Sequence, residues 1–165
     1  MKEVWDVLNC KGEKINKKIN RGEKLNDDEF HLVVNAWIKN KDDKFLIVQR
    51  SINKTYPLMW ECVGGSALSC ELPIETAIRE VKEETGVRVY KTNAKLVGHM
   101  LRYYSGCPDI LYVYLFNINN VKDDSVIIQK EEVNDYMWAT KEQIIDLYKN
   151  NKFAANAFFL DVITK

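Results

Sequence analysis

The sequence lacks net charge: 24 Lys and Arg balance 24 Asp and Glu, for a formal charge of zero at neutral pH. That argues against broad capture of a nucleic-acid polymer or an acidic membrane surface, which needs a dominant positive field. Long apolar runs are missing too, and none approaches the roughly 20 residues that a membrane-crossing helix requires. The first residues, Met1 to Asp6, introduce acids early and carry no apolar export core, so no signal peptide is expected. Paired cysteine spacing is absent: Cys10, Cys62, Cys70 and Cys107 are scattered. A chain of 165 residues needs no disulfide to fold, so reduced thiols in a cytoplasmic setting are expected. Cys62 and Cys70 have no matching Cys or His pair with which to hold a metal. Repeats and low-complexity segments are also absent.

What remains is ordinary for a folded domain, with 46% apolar and 29% charged residues. The length suits one domain with a full core. Residues 1–28 read as an N-terminal extension, polar from Lys11 to Asp28, with Val4 to Leu8 and Ile15 to Ile19 able to pair as a hairpin. From Glu29 onward the pattern is β-rich. His31 to Ile38 and Phe45 to Arg50 form a second hairpin across a polar turn. Trp60 to Val63 reads as a short strand broken by Gly64-Gly65, a pair that lets backbone approach a ligand. Further strands are expected at Val87 to Tyr90, Lys95 to Tyr104, Ile110 to Asn117 and Tyr136 to Ala139. Thr140 and Gln143 have capping-box spacing and open a helix over Lys141 to Lys149. A last helix is expected from about Phe153 to Ile163, its Phe153, Phe158, Phe159 and Leu160 serving as core or as a homodimer contact. The class is α/β with a mixed sheet.

One helix carries the chemistry. Pro73 suits a first turn, Gly86 suits a C-terminal cap, and Ile74, Ala77, Ile78 and Val81 form a buried stripe between them. Glu80, Glu83 and Glu84 then cluster beside that stripe, because positions three and four apart share a helical face. Like charges so placed cost a few tenths of a kcal/mol per pair. A hard cation with a preference for oxygen ligands would remove that cost. A Glu-rich helix with Lys82 in it is also what a solvated face looks like. Arg79, four residues after Glu75 and four before Glu83, can fix carboxylate positions.

The surrounding spacing goes further. Gly65, Glu71, Arg79, Glu80, Val81, Glu83, Glu84, Gly86 and Val87 stand at every defined position of a pattern that resembles the Nudix box. The resemblance extends over about Glu29 to Lys165, through Gln49-Arg50-Ser51, Trp60 and Tyr136 to Ala139. It implies an α/β/α sandwich with a mixed sheet and an enzyme that hydrolyses a diphosphate linkage with Mg²⁺ or Mn²⁺. By that likeness Glu80, Glu83 and Glu84 ligate metal, with the Gly64 carbonyl as a further ligand, while Arg79 and Glu71 orient the loop and helix. Glu80 can also accept a proton. Glu131, Glu132 and Asp109 are candidates for a distal carboxylate.

The stretch Gln49 to Trp60 resembles isopentenyl-diphosphate isomerases, which share the fold. There an Arg and a Lys four residues later grip a diphosphate, and Arg50 and Lys54 match that spacing. His31 falls at the place of an isomerase metal ligand. The remaining isomerase apparatus is missing: Gly64 stands where a cysteine is needed, Lys24 and Ser66 replace histidines, and Leu111 replaces one of two acids beside Asp109. A hydrolase of small-molecule diphosphates is the better reading; an isomerase and a non-catalytic nucleotide sensor are the alternatives. Trp60, near the glycine pair, is a candidate for substrate stacking. Trp37, Tyr103 and Tyr104 read as stacking or packing residues, and Arg102 as a phosphate contact or a solvated side chain.

Overall fold

A computed structural model of the chain describes residues 2–119, 125–155 and 158–164. Its strands are β1 (Val4–Leu8), β2 (Lys14–Asn20), β3 (His31–Lys39), β4 (Phe45–Arg50), β5 (Trp60–Glu61), β6 (Val63–Ser66), β7 (Ala94–Arg102), β8 (Asp109–Asn117) and β9 (Val133–Ala139). Its helices are α1 (Pro73–Thr85), α2 (Lys141–Lys149) and α3 (Phe159–Ile163). Strands β1 and β2 make a two-stranded sheet, and the other seven make a mixed one.

The larger sheet is built around β3. Strand β8 runs parallel to its whole length, from His31 opposite Asp109 to Lys39 opposite Asn117. On the other side β4 pairs with it only at Ile38 and Lys39. The segment after the loop fills the space where β3 and β4 part. Trp60 and Glu61 pair with β4, and Val63 to Ser66 pair with β3, so the chain changes partner at Cys62. The expected strand over Trp60 to Val63 is therefore two strands. The glycine pair does not break it, since Gly64 and Gly65 lie inside β6, opposite Asn35 and Val34.

Alternation along these strands builds two cores, as the pleat requires. Val34, Ala36 and Ile38 of β3, with Leu46 and Val48 of β4, face Ala77 and Val81 of α1. Trp37, Phe45 and Ile47 point the other way, onto Ile144 of α2 and Phe159, Val162 and Ile163 of α3. Helices thus cover both faces of one sheet, the expected α/β/α sandwich. Phe153 and Phe159 are buried within the chain, which settles those two as core.

Two other expectations need correcting. Val87 and Val89 are buried in the α1-side core, yet Val87 to Tyr90 is not a strand; alternation reports burial, not an available hydrogen-bonding partner. The last helix begins at Phe159, not Phe153. Backbone there is taken by the sheet edge, with Trp60 N–H donating to the Lys152 carbonyl at 2.8 Å and Ala154 N–H to the Trp60 carbonyl at 2.8 Å. The helix of the glutamates ends as predicted: Gly86 takes φ 69° and donates to the Lys82 carbonyl, a left-handed cap that glycine adopts without strain. It starts at Pro73, so Glu71 belongs to the turn ahead of it.

Candidate active site

Helix α1 lies across β3 and β6, and Arg79 is the hub that joins it to the preceding loop. Its Nε donates to Glu71 Oε1 at 2.7 Å and its Nη2 to Glu71 Oε2 at 2.9 Å. Nη2 also reaches the Ser66 carbonyl at 3.1 Å, and Nη1 donates to Glu80 Oε1 and Glu83 Oε2, each at 2.9 Å. A guanidinium has five N–H groups, and here all five have acceptors. Glu71 in turn accepts from Leu68 N–H at 2.9 Å and Thr76 Oγ1 at 3.0 Å. Burial opposes ionisation of Glu71, but Arg79 and these donors outweigh it and hold the carboxyl below its usual range. The loop from Ser66 to Leu72 is locked to the helix by this web.

Beyond Arg79 lies a polar cavity of about 150 Å³, lined by Gly64, Gly65 and Ser66 of β6 and by Glu80, Glu83 and Glu84 of α1. Glu84 is 4% exposed. Burial pushes its carboxyl well above the ordinary range; Lys54 opposes that, while Glu80, Glu61 and Glu132 reinforce it. Burial likewise raises Glu80, against the pull of Arg79. Lys54 Nζ stands 3.9 Å from Glu84 Oε1 and 2.7 Å from Glu132 Oε2. The first distance is too long for a hydrogen bond. Glycine at 65 is a matter of space: a Cβ there would overlap the Glu80 carboxylate.

The expected residues divide clearly by place. Gly64, Arg79, Glu80, Glu83, Glu84 and Lys54 line the cavity, and Glu71 stands behind Arg79. Of the three distal acids, Glu132 lines the cavity and Glu131 does not. Asp109 is held elsewhere, by Arg102 Nε at 2.7 Å and Nη2 at 2.9 Å. Arg50 is not among the residues that line the cavity. It donates to both Glu61 oxygens at 2.7 Å and to the Thr55 carbonyl. Trp60 packs toward the α2-side core, and Trp37 is buried there. His31 Nδ1–H donates to the Pro108 carbonyl at 3.1 Å, and the ring lies flat under Trp5 at 4.3 Å.

Glu3, Arg21 and Gln129 also line the cavity, and none of them was among the site residues expected from the sequence. The first two come from the N-terminal hairpin, and neither periodicity nor spacing ties that hairpin to the helix.

The NUDIX domain model matches residues 29–160. The chain belongs to the Nudix family. A Nudix hydrolase of Listeria monocytogenes, itself uncharacterized, is 36% identical over 96% of this chain and 92% of its own length. The fold is shared with a Deinococcus radiodurans protein at a TM-score of 0.74 and 21% identity, covering 98% of each chain. It is shared too with the Nudix domain of Shewanella oneidensis NrtR in complex with ADP-ribose, at 0.61 and 20%, covering 82% and 84%. Within the Nudix frame, no helix among the described residues is long and apolar enough to cross a membrane.

The Nudix carboxylates have the chemistry to hold a hard divalent cation, since they are all oxygen donors. Among the described residues no three His, Cys, Asp or Glu side chains are gathered at metal-ligand spacing. The cations explain this, because Arg79 draws Glu80 and Glu83 to itself while Lys54 stands by Glu84. The buried Glu84 carboxylate, without a short-range counter-charge, is the observation that fits an ion there.

Proposed function

We propose that this chain carries out metal-dependent hydrolysis of a diphosphate linkage, in a nucleoside diphosphate joined to another group or in a related organic diphosphate. One observation carries the reading: Glu80, Glu83 and Glu84 face Lys54 and Glu132 across a single polar cavity. Glu80, Glu83, Glu84 and the Gly64 carbonyl would hold Mg²⁺ or Mn²⁺. When bound, such an ion supplies charge to neutralise phosphate oxygens and to acidify a water.

The side chains divide the remaining work. Lys54 can turn from Glu132 to a phosphate oxygen, a small movement for a flexible side chain. Glu80, raised by burial, is suited to take the proton of the attacking water. Water attacks one phosphorus, the bridging P–O bond breaks, and the departing phosphate keeps its electron pair. Glu132 is the distal carboxylate that completes the set. Arg79 and Glu71 touch no substrate and hold the loop to the helix. Arg50 and Trp60, expected to bind substrate, have no such part in this reading.

Residues 29–165 constitute the hydrolase domain and residues 1–28 an extension packed on it, in line with a family match that begins at residue 29. A cytoplasmic setting suits the scattered spacing of Cys10, Cys62, Cys70 and Cys107. The test is a panel of nucleoside diphosphate derivatives and organic diphosphates with Mg²⁺ or Mn²⁺. Glu83→Gln and Glu84→Gln are expected to lose nearly all turnover; full turnover in both would remove the basis of the proposal.

A further inference from the structure

The open end of the β1–β2 hairpin abuts the cavity. Glu3 precedes β1 and Arg21 follows β2. Arg21 N–H donates to the Glu3 carbonyl at 2.9 Å, and its Nη1 to Glu3 Oε1 at 3.0 Å. Both side chains line the same cavity as the α1 glutamates.

The hairpin is held along the whole length of β1. Ser69 N–H donates to the Val4 carbonyl at 2.7 Å, and Leu8 and Phe30 exchange backbone hydrogen bonds at 2.8 and 2.9 Å. Asp6 accepts from Ser69 Oγ at 2.7 Å and from Cys70 N–H at 2.8 Å. Trp5 is buried against His31, and Val7, Ile19 and Leu25 close a small apolar cluster around it. The hairpin therefore presents Arg21 at a set place.

Among the described residues three cations line the cavity, and they differ in what they have left to give. Arg79 has every N–H directed at an acceptor within the chain. Lys54 stands against Glu132. Arg21 makes one side-chain hydrogen bond among the described residues, and its side chain is 56% exposed. Four of its five donors remain for a ligand, in the planar fork that suits phosphate oxygens.

We propose that Arg21 binds the substrate diphosphate, so that the hairpin ahead of the family match supplies part of the substrate site. The inference rests on the diphosphate reading above. It makes the extension part of the enzyme rather than an appendage.

The experiment uses the full chain and methylenediphosphonate, a diphosphate analogue that is not hydrolysed, with binding followed by calorimetry in Mg²⁺. Arg21→Ala is expected to weaken binding about tenfold, the worth of a charge-assisted contact at a partly exposed site. Arg21→Lys should recover part of the loss, keeping charge without the fork. Lys11→Ala removes the same charge at the far end of the hairpin and should leave affinity unchanged. Wild-type affinity in Arg21→Ala, or an equal loss in Lys11→Ala, overturns the role of Arg21 and leaves the diphosphate reading standing. No Mg²⁺-dependent binding by the wild-type protein overturns both.

Discussion

Replacing Asp6 with Asn tests how firmly charge holds the hairpin to the loop ahead of α1. Lys14 Nζ lies 2.6 Å from Asp6, alongside the Ser69 and Cys70 donors. Burial opposes ionisation of this carboxyl, yet Lys14, Cys70 and Ser69 outweigh it and bring the carboxyl to about 2, against an ordinary 3.8. At about 1.4 kcal/mol per pKa unit this sets a ceiling of roughly 2.5 kcal/mol on the charge-dependent stability at neutral pH. The Lys14 side chain is 49% exposed, and solvent screening brings the expected figure down to about 1–2 kcal/mol. The sign follows from a folded-state value below the unfolded one. The contribution is complete above the ordinary 3.8 and disappears as pH falls toward 2, with roughly half left at pH 3. Asn keeps the shape and an acceptor for Ser69 but not the charge. Urea unfolding of wild type and Asp6→Asn at pH 7, 4 and 3 should show a gap of about 1–2 kcal/mol that narrows on acidification. Equal stability at pH 7, or a gap that stays constant to pH 3, refutes the account.

The two glycines of β6 should fail differently. A Cβ at Gly64 would sit 2.6 Å from the Val34 carbonyl oxygen, so Gly64→Ala should destabilise by about 2 kcal/mol, read as a lower melting temperature. A Cβ at Gly65 meets the movable Glu80 carboxylate first, so Gly65→Ala should melt near wild type but lose about 100-fold in turnover through misplacement of Glu80. Glu84→Gln removes a buried charge whose cation stands 3.9 Å away. It should raise the melting temperature of metal-free protein while abolishing turnover. Added Mg²⁺ should then raise the melting temperature of wild type and not of this variant.

Where local chemistry decides, the sequence was readable. Pro73 and Gly86 bounded α1 because one tolerates a missing donor and the other a left-handed cap. Thr140 and Gln143 bounded α2, with Thr140 Oγ1 accepting from Gln143 N–H at 3.3 Å. The Gly64-Gly65 pair misled because glycine is usually read for backbone freedom, whereas β6 needs it for the missing Cβ. Matching spacing could not report that Glu61, paired with β4, would give Arg50 a carboxylate partner within the chain. Choosing Glu132 over Asp109 needed the tertiary fold, which carries residue 109 to the β8 start and residue 132 to the cavity rim. Arg21 was beyond reach, since its place depends on a hairpin docked by Asp6 and Trp5.

The parallel pairing of β3 with β8 also has a temporal consequence. His31 meets Asp109 and Lys39 meets Asn117, so a chain growing on the ribosome has made the whole of α1 before the central strand gains its longest partner. Until then one edge of β3 has only solvent for its amides and carbonyls, and such an edge can recruit another nascent chain. Contacts this distant in sequence also slow closure of the sheet. A chain arrested at residue 105 should therefore be poorly soluble even though it contains the entire box, and synthesis of the full chain should restore a soluble product.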